Sequence, residues 1–342
     1  MSELQSLFLW MPMLAFCISC ACTVWLAHDL AKAGQVDHPI ERSAHKVPTP
    51  RGGGLAVMGA FVPCAAFLGL NLMLLTMLVV LITISWLDDQ YPLDWRLRLL
   101  AQCFAVGFSL AALWQMGIIS SLYDRMFFSL PLVLFITALG LGWVWHINVM
   151  NFLDCSDGYA PMQCMIICFG AGIYFLTYIN FPLEALLAFT LGAAVLGFFV
   201  WNYPPARIFL GEVGSVPLGF ITGYLLLVLA EKGGWGLAFA LPLWFWLDAT
   251  YTLFRRIYEK KSPVQSHNEH LYQRAAGQTP HGHKRVLKFY ILLQVLNCTM
   301  LALSIALLPM QQWILPFISL AFGAVYYYGL VRFIRQQPES LP

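Results

Sequence analysis

Apolar runs of about 18 residues or more follow one another along all 342 residues of the chain. In lipid a backbone must satisfy its own hydrogen bonds, so runs of this kind fold as helices that span a membrane. Composition agrees: the chain is 60% hydrophobic and 11% charged, where an ordinary soluble domain is about 25% charged. The expected fold is all-α, a polytopic integral membrane protein of about 11 transmembrane helices. The spans fall near 7–27, 52–69, 71–87, 97–116, 130–147, 160–179, 184–201, 215–230, 235–254, 287–307 and 313–331. The stretch 52–87 is read as two short spans with a break near Gly69-Leu70-Asn71. The first run lacks a basic leader and is too long for the core of a signal peptide, so it reads as a retained span.

Charge is distributed very unevenly. Of the 19 Lys and Arg residues, 17 fall in loops on one side of this arrangement, and only Arg125 and Lys232 fall on the other. The positive-inside rule makes the richer side cytoplasmic, with the N-terminus outside and the C-terminus cytoplasmic. No repeat is evident, and the longest loop, 255–286, is too short for a soluble domain. The reading is a single polytopic membrane domain over 1–342. Its polar residues gather in the cytoplasmic loops 28–51, 88–96, 148–159, 202–214 and 255–286, so its chemistry belongs at that membrane surface. The nine cysteines are odd in number and mostly lie inside apolar runs, which suits small buried residues and not a disulfide framework.

Five polar stretches stand out. The first ends in Pro48-Thr-Pro-Arg51-Gly-Gly-Gly54, where glycine N–H groups at a helix start, with Lys46 and Arg51, suit a phosphate; a basic loop near anionic lipid is the plainer reading. The second is Asp88-Asp89, followed by Arg96 and Arg98. Mg2+ is usually held by one or two carboxylates and substrate phosphates, and adjacent helical residues point about 100° apart, so the two Asp are expected to do different jobs. In the third, Asn148, Asn151, Asp154 and Asp157 recur every three residues, which would place them on one helical face. The fourth, Asn202 to Ser215, holds Arg207, Phe209 and the lone acid Glu212 between glycines. The fifth holds His267 and His270 at i, i+3, favouring phosphate contact or proton handling over zinc, with His281 and His283 read as solvated loop residues. Asp248, inside a span, is either functional or a satisfied interhelical hydrogen bond.

In their order along residues 37 to 275, these motifs resemble those of the polyprenyl-phosphate N-acetylhexosamine-1-phosphate transferases, which include the WecA, WbpL, TagO and MraY enzymes. Asp248-Ala-Thr and His267-x-x-His-x-Tyr-Gln273 look most like the O-antigen-initiating WbpL/WecA branch. The missing run of three histidines argues against a muramyl-pentapeptide substrate. The resemblance implies transfer of a sugar 1-phosphate from a UDP-N-acetylhexosamine to undecaprenyl phosphate, releasing UMP. It implies Mg2+ (Mn2+ as the alternative), a bacterial inner membrane, no nucleic-acid partner, and a homodimer as one open assembly state. By the same resemblance Asp88 and Asp89 are the catalytic acids, and Glu212, Asn151 and Asp88 hold the metal. Lys46, Arg51, Arg98, Asn148, Asp154, Asp157, Asn202, Phe209, His267 and His270 bind substrate, with Phe209 stacking on uracil. Glu212 stands where the family has Asp, and Cys155-Ser156 replaces Gly and an apolar residue. The competing classes are an ion-coupled transporter with Asp248 as carrier site, and a catalytically degenerate member of the family.

Overall fold

The computed structural model describes residues 3–39, 47–125, 130–262, 268–277, 280–308 and 311–335. Within them the chain is almost wholly helical. In order come α1 (Glu3–Lys32), the strands β1 (Val36–Asp37) and β2 (Thr49–Pro50), α2 (Gly54–Phe67), α3 (Leu72–Gln90), α4 (Trp95–Gln115) and α5 (Ile118–Asp124). Then follow α6 (Leu132–Phe152), α7 (Tyr159–Thr177), α8 (Pro182–Asn202) and α9 (Glu212–Leu229), a π turn (Ala230–Gly234), and α10 (Trp235–Ala240). The last are α11 (Leu243–Tyr258), α12 (Leu271–Ala276), α13 (Pro280–Leu307) and α14 (Ile314–Arg335).

Each expected apolar run contains a helix. Among the described residues nine segments are long and apolar enough to cross a membrane, with α9 and α10 joined as one of them. The difference from eleven lies there and in two short helices, α2 with 14 residues and α11 with 16. The expected break before α3 is present: Gly69 takes φ 79°, and the Asn71 side chain caps α3 by accepting from Met73 N at 2.9 Å. Between α9 and α10 the helix is broken at Lys232 and Gly233, the latter at φ 90°. Between α10 and α11 it is broken again at Leu241-Pro242. A broken helix inside a membrane leaves carbonyls that must find partners. Ser319 Oγ donates to Ala240 O at 2.8 Å, and Gln163 Nε2 donates to Leu241 O at 2.9 Å.

The bundle is organised around α9. Of its membrane-length window 89% is buried, against 22% for α1. Small residues permit this. A Cβ on Gly219 would come within 2.7 Å of Ile147 Cα, and one on Gly223 within 2.4 Å of the Trp143 ring, so α6 lies directly on α9. Trp143 Nε1 donates to Phe220 O across that contact at 2.9 Å. At its other flank, Gly214 meets Gly54 of α2, where a Cβ on Gly54 would stand 2.2 Å from Gly214 Cα. The N-terminal end of α9 is thereby fixed against α2 and lies beside the C-terminal end of α3 and the start of α4.

Candidate active site

The two adjacent acids at the end of α3 have different partners. Asp89 Oδ1 accepts from Glu212 N at 3.1 Å and Oδ2 from Val213 N at 2.9 Å, so a side chain of α3 caps the N-terminus of α9. Arg51 Nε completes the arrangement at 3.0 Å from Asp89 Oδ1. Gly211, at φ 77°, allows this approach: a Cβ there would stand 2.6 Å from Asp89 Oδ2. Asp88 instead accepts from Leu93 N through Oδ1 at 2.7 Å. It presents Oδ2 to Arg98 Nη1 at 3.0 Å, and the same nitrogen lies 2.6 Å from Glu212 Oε1. Asp88, Arg98 and Glu212 border a narrow surface cleft, with Leu81, Ile84, Ala101 and Val216 as its apolar lining and Ser85 and Gln102 as its other polar residues.

The triple glycine behaves otherwise than expected. Gly52 N and Gly53 N donate to Phe209 O at 3.1 and 2.9 Å, and Gly54 N donates to Leu210 O at 2.8 Å. The N–H groups expected to cradle a phosphate are spent joining two loops. Arg51 pairs with Phe209 in the same ladder, which fixes its backbone while its side chain is partly covered and partly open to solvent. Burial acts against the Arg51 charge, but Asp89 first, then Glu212, Asp154 and Asp37, outweigh it and raise its pKa. Lys46 lies outside the described residues.

The stretch 148–158 divides in two. The expected single helical face holds for Asn148 and Asn151 only, because α6 ends at Phe152; Asp154 and Asp157 lie in the following turn. Asn148 Nδ2 donates to Gln102 Oε1 at 2.7 Å, tying α6 to α4. Asn151 Nδ2 donates to Ser215 Oγ at 3.0 Å, one turn along α9 from Glu212. The turn itself is held from three directions. Tyr272 Oη donates to Leu153 O at 3.1 Å, Ser156 Oγ meets His283 Nδ1 at 2.6 Å, and Ala206 N donates to Asp157 Oδ2 at 2.9 Å. Burial pushes the Asp154 carboxyl well above the usual carboxylate range; Arg51 opposes this, while Asp89, Asp157 and Glu212 add to it. Asn202 is buried as a staple, its Oδ1 accepting from Gly158 N at 2.8 Å and its Nδ2 donating to Ile208 O at 2.9 Å. Phe209 is half-buried.

The fifth motif lies apart from the cleft's lining. His267 is outside the described residues. His270 is 3% exposed and caps α12 in a capping box with Gln273. Its Nδ1 stands 4.0 Å from Asp248 Oδ2, so an open phosphate contact is not what its setting provides. Asp248 Oδ1 accepts from Leu271 N at 3.2 Å and from Thr252 Oγ1 at 3.4 Å, while its buried Oδ2 has no hydrogen-bond partner among the described residues, so the satisfied-bond reading holds for one oxygen only. His281 is exposed, but His283 is buried on Ser156 and not solvated as expected, because α13 begins at Pro280, ahead of the apolar run. The motif Arg98-Leu-Leu-Ala-Gln102 gains its meaning here: one α4 turn puts Arg98 on the acids and Gln102 on Asn148. Ser215 and His283 carry no sequence signal of their own beyond their nearness to Glu212 and the start of α13, and Ser156 is marked only as part of the Cys155-Ser156 departure.

Asp88 and Glu212 supply two carboxylates, and Asn151 and Ser215 supply neutral oxygens close by. Among the described residues no three acidic, His or Cys side chains form a metal-binding group. Two carboxylates with neutral oxygens nonetheless fit Mg2+, which keeps several waters and takes the rest of its ligands from phosphates. The Arg98 guanidinium bridging both acids shows that the pair accommodates a cation.

Residues 71–230 match the profile of Glycosyl transferase family 4. The probable undecaprenyl-phosphate N-acetylglucosaminyl 1-phosphate transferase of Bacillus subtilis (strain 168) is 27% identical over 261 residues, 70% of each chain. The undecaprenyl-phosphate alpha-N-acetylglucosaminyl 1-phosphate transferase of Thermotoga maritima is 26% identical over 274 residues, 79% of this chain and 82% of that one. The phospho-N-acetylmuramoyl-pentapeptide-transferase of Synechococcus sp. (strain JA-2-3B'a(2-13)) is 32% identical over 236 residues, 59% of this chain and 65% of that one. The matched segment holds α3, α4, α6 and α9, whose ends carry Asp88, Asp89, Arg98, Asn151 and Glu212 in one interlocked set, and over that segment the chain is similar to glycosyl transferase family 4.

Proposed function

We propose that the protein transfers a sugar 1-phosphate from a UDP-N-acetylhexosamine to undecaprenyl phosphate, giving the undecaprenyl-diphospho-sugar and UMP. The observation that carries this reading is the meeting of Asp88, Arg98 and Glu212 at the edge of a cleft whose remaining lining is largely apolar. A charged edge over an apolar lining suits a phosphate that carries a hydrocarbon chain. The relatives named above support the donor and acceptor classes.

An oxygen of the acceptor phosphate attacks the phosphorus next to the sugar, and the bond from that phosphorus to the oxygen bridging it to the uridine-side phosphate breaks, releasing UMP. The acceptor is a phosphate monoester with a second pKa near 6, so it is largely ionised at neutral pH and attacks without a base. Asp88 positions the Arg98 guanidinium for the acceptor phosphate. Arg98 and Arg51 stabilise charge that develops on phosphoryl oxygens. Asp89 positions Glu212 by capping α9 and does not touch substrate. The turn 153–158, with Asp154 and Asp157, lies where the nucleotide binds, and Phe209 offers an aromatic face to the base. Asp88, Glu212 and Asn151 would hold Mg2+, which supplies a Lewis acid for the diphosphate.

The Arg- and Lys-rich side is proposed as cytoplasmic, which puts this site at the inner face of a bacterial inner membrane, and the likeness to the O-antigen-initiating branch makes that pathway the proposed role. Purified protein in detergent, given undecaprenyl phosphate and UDP-GlcNAc, UDP-GalNAc or a UDP-6-deoxy-N-acetylhexosamine, should release UMP in the presence of Mg2+ and not in its absence. No release with any of these sugars would defeat the assignment.

A further inference from the structure

We infer that Arg98 and a divalent cation compete for the same two carboxylates, so that a cation arriving at Asp88 and Glu212 frees the Arg98 guanidinium for a phosphate. This rests on the phosphotransferase reading and adds a coupling to it. A single nitrogen, Arg98 Nη1, touches both acids, at 3.0 Å from Asp88 Oδ2 and 2.6 Å from Glu212 Oε1. The two oxygens are therefore close enough to share one small cation.

Few other arrangements are open to the cluster. Asp88 Oδ1 already accepts from Leu93 N, so Oδ2, the oxygen on Arg98, is the one Asp88 presents to any cation. Asp89 cannot substitute, since its oxygens take two backbone N–H groups and Arg51. Asp88 and Glu212 are largely buried, with side chains 5% and 16% exposed. Two such carboxylates facing each other require a positive partner or a shared proton. Arg98 meets that need from the first turns of α4, and its side chain remains 33% exposed, so the head can leave while the helix stays in place. Glu212 reaches Arg98 with one methylene more than Asp would have, about 1.5 Å of added reach.

Competition has a necessary partner effect. If the cation displaces Arg98 and a phosphate then captures it, the two ligands favour each other's binding, and the coupling is reciprocal. Arg98 offsets one of the two negative charges until the cation takes its place, and then becomes a phosphate ligand beside it.

The test uses the full-length protein in detergent. Mn2+ binding is followed by electron paramagnetic resonance without substrate. Arg98→Gln should bind Mn2+ on the order of tenfold more tightly than wild type, equivalent to about 1.4 kcal/mol, because the competing charge is gone. Equal or weaker binding would overturn the inference. A measurement on the wild type avoids dependence on the variant's folding: phenylglyoxal labelling of Arg98, read by peptide mass spectrometry and normalised to the exposed neighbour Arg96, should speed up several-fold when Mg2+ is added. An unchanged or slower rate overturns the proposal. Release of UMP is assayed on the same preparation. Release that depends on Mg2+ with unchanged Arg98 labelling sinks the competition and leaves the reaction standing; faster labelling without release does the reverse.

Discussion

Replacing Asp89 with Ala should unfold the site without touching a substrate contact. The Asp89 side chain is 4% exposed and receives Glu212 N and Val213 N at 3.1 and 2.9 Å. Losing a helix cap costs about 1 kcal/mol. Leaving a buried N–H without a partner costs roughly 1–3 kcal/mol. The Arg51 pair adds little, since Arg51 is 44% exposed and such pairs contribute about 0–1 kcal/mol. The cap is made of those same N–H bonds, so the two figures describe one loss of about 1–3 kcal/mol. By contrast, Asp88→Asn keeps an oxygen for Leu93 N and removes a charge from the cleft, so it should lose turnover and retain most of its stability.

The buried cysteines Cys64, Cys164 and Cys168 provide the assay. A thiol-reactive fluorophore reports their exposure on heating in detergent. Asp89→Ala should lower the apparent Tm by roughly 1–4 °C, while Asp88→Asn stays near wild type and releases no UMP. If Asp89→Ala melts with the wild type, or if Asp88→Asn is the less stable of the two, the division of labour between these acids is wrong.

Asp154 gives a pH-dependent prediction. Its folded pKa is raised by burial, so the folded state holds the proton more tightly than the unfolded chain. Its stabilising share is complete below the unfolded pKa, near 3.9, and is lost as pH rises through the raised folded value. Asp154→Asn should therefore melt higher than wild type at pH 8, with the gap closing toward pH 4; a variant that melts lower at pH 8 would contradict this. Gly54→Ala would push a methyl to 2.2 Å from Gly214 Cα, and overpacking of that kind costs about 1–3 kcal/mol, so the same thiol assay should show early melting. His283→Ala removes the 2.6 Å contact to Ser156 and should raise KM for the UDP-sugar several-fold with a smaller change in kcat. His283→Asn should recover part of that loss, and an equal fall in kcat would point to a wider structural role.

Hydropathy made the helices legible because lipid burial leaves the backbone no alternative, and Gly69 and Asn71 announced their break by their own conformational preferences. The site was legible as a set of residue types and hardly at all as a set of partners. Spacing by three through 148–157 reads as helix, yet α6 stops at Phe152 because Tyr272, Asn202 and His283, far along the chain, hold the next six residues in a turn. A triple glycine has the same composition whether it cradles an anion or packs against another backbone; only the carbonyls of Phe209 and Leu210 decide between them. Adjacent Asp residues were bound to face different ways, but nothing local says that Asp89 is the one that meets α9. His283 was misread because charged residues precede the apolar run, and the helix begins before the apolar pattern does.

These partners bear on how the protein recognises phosphate. A site built on backbone N–H groups would use the triple glycine and the start of α9. Here the glycine donors go to the 209–210 carbonyls, and the first two N–H groups of α9 go to Asp89. Among the described residues, the charged donors near the cleft are guanidinium groups, Arg98 at its edge and Arg51 behind Asp89. Guanidinium groups are charged, forked and mobile, whereas backbone donors are fixed. Recognition through them can depend on what else neutralises the acids, and recognition through a fixed backbone cannot. The same feature that removes the expected cradle makes phosphate binding responsive to the occupancy of Asp88 and Glu212.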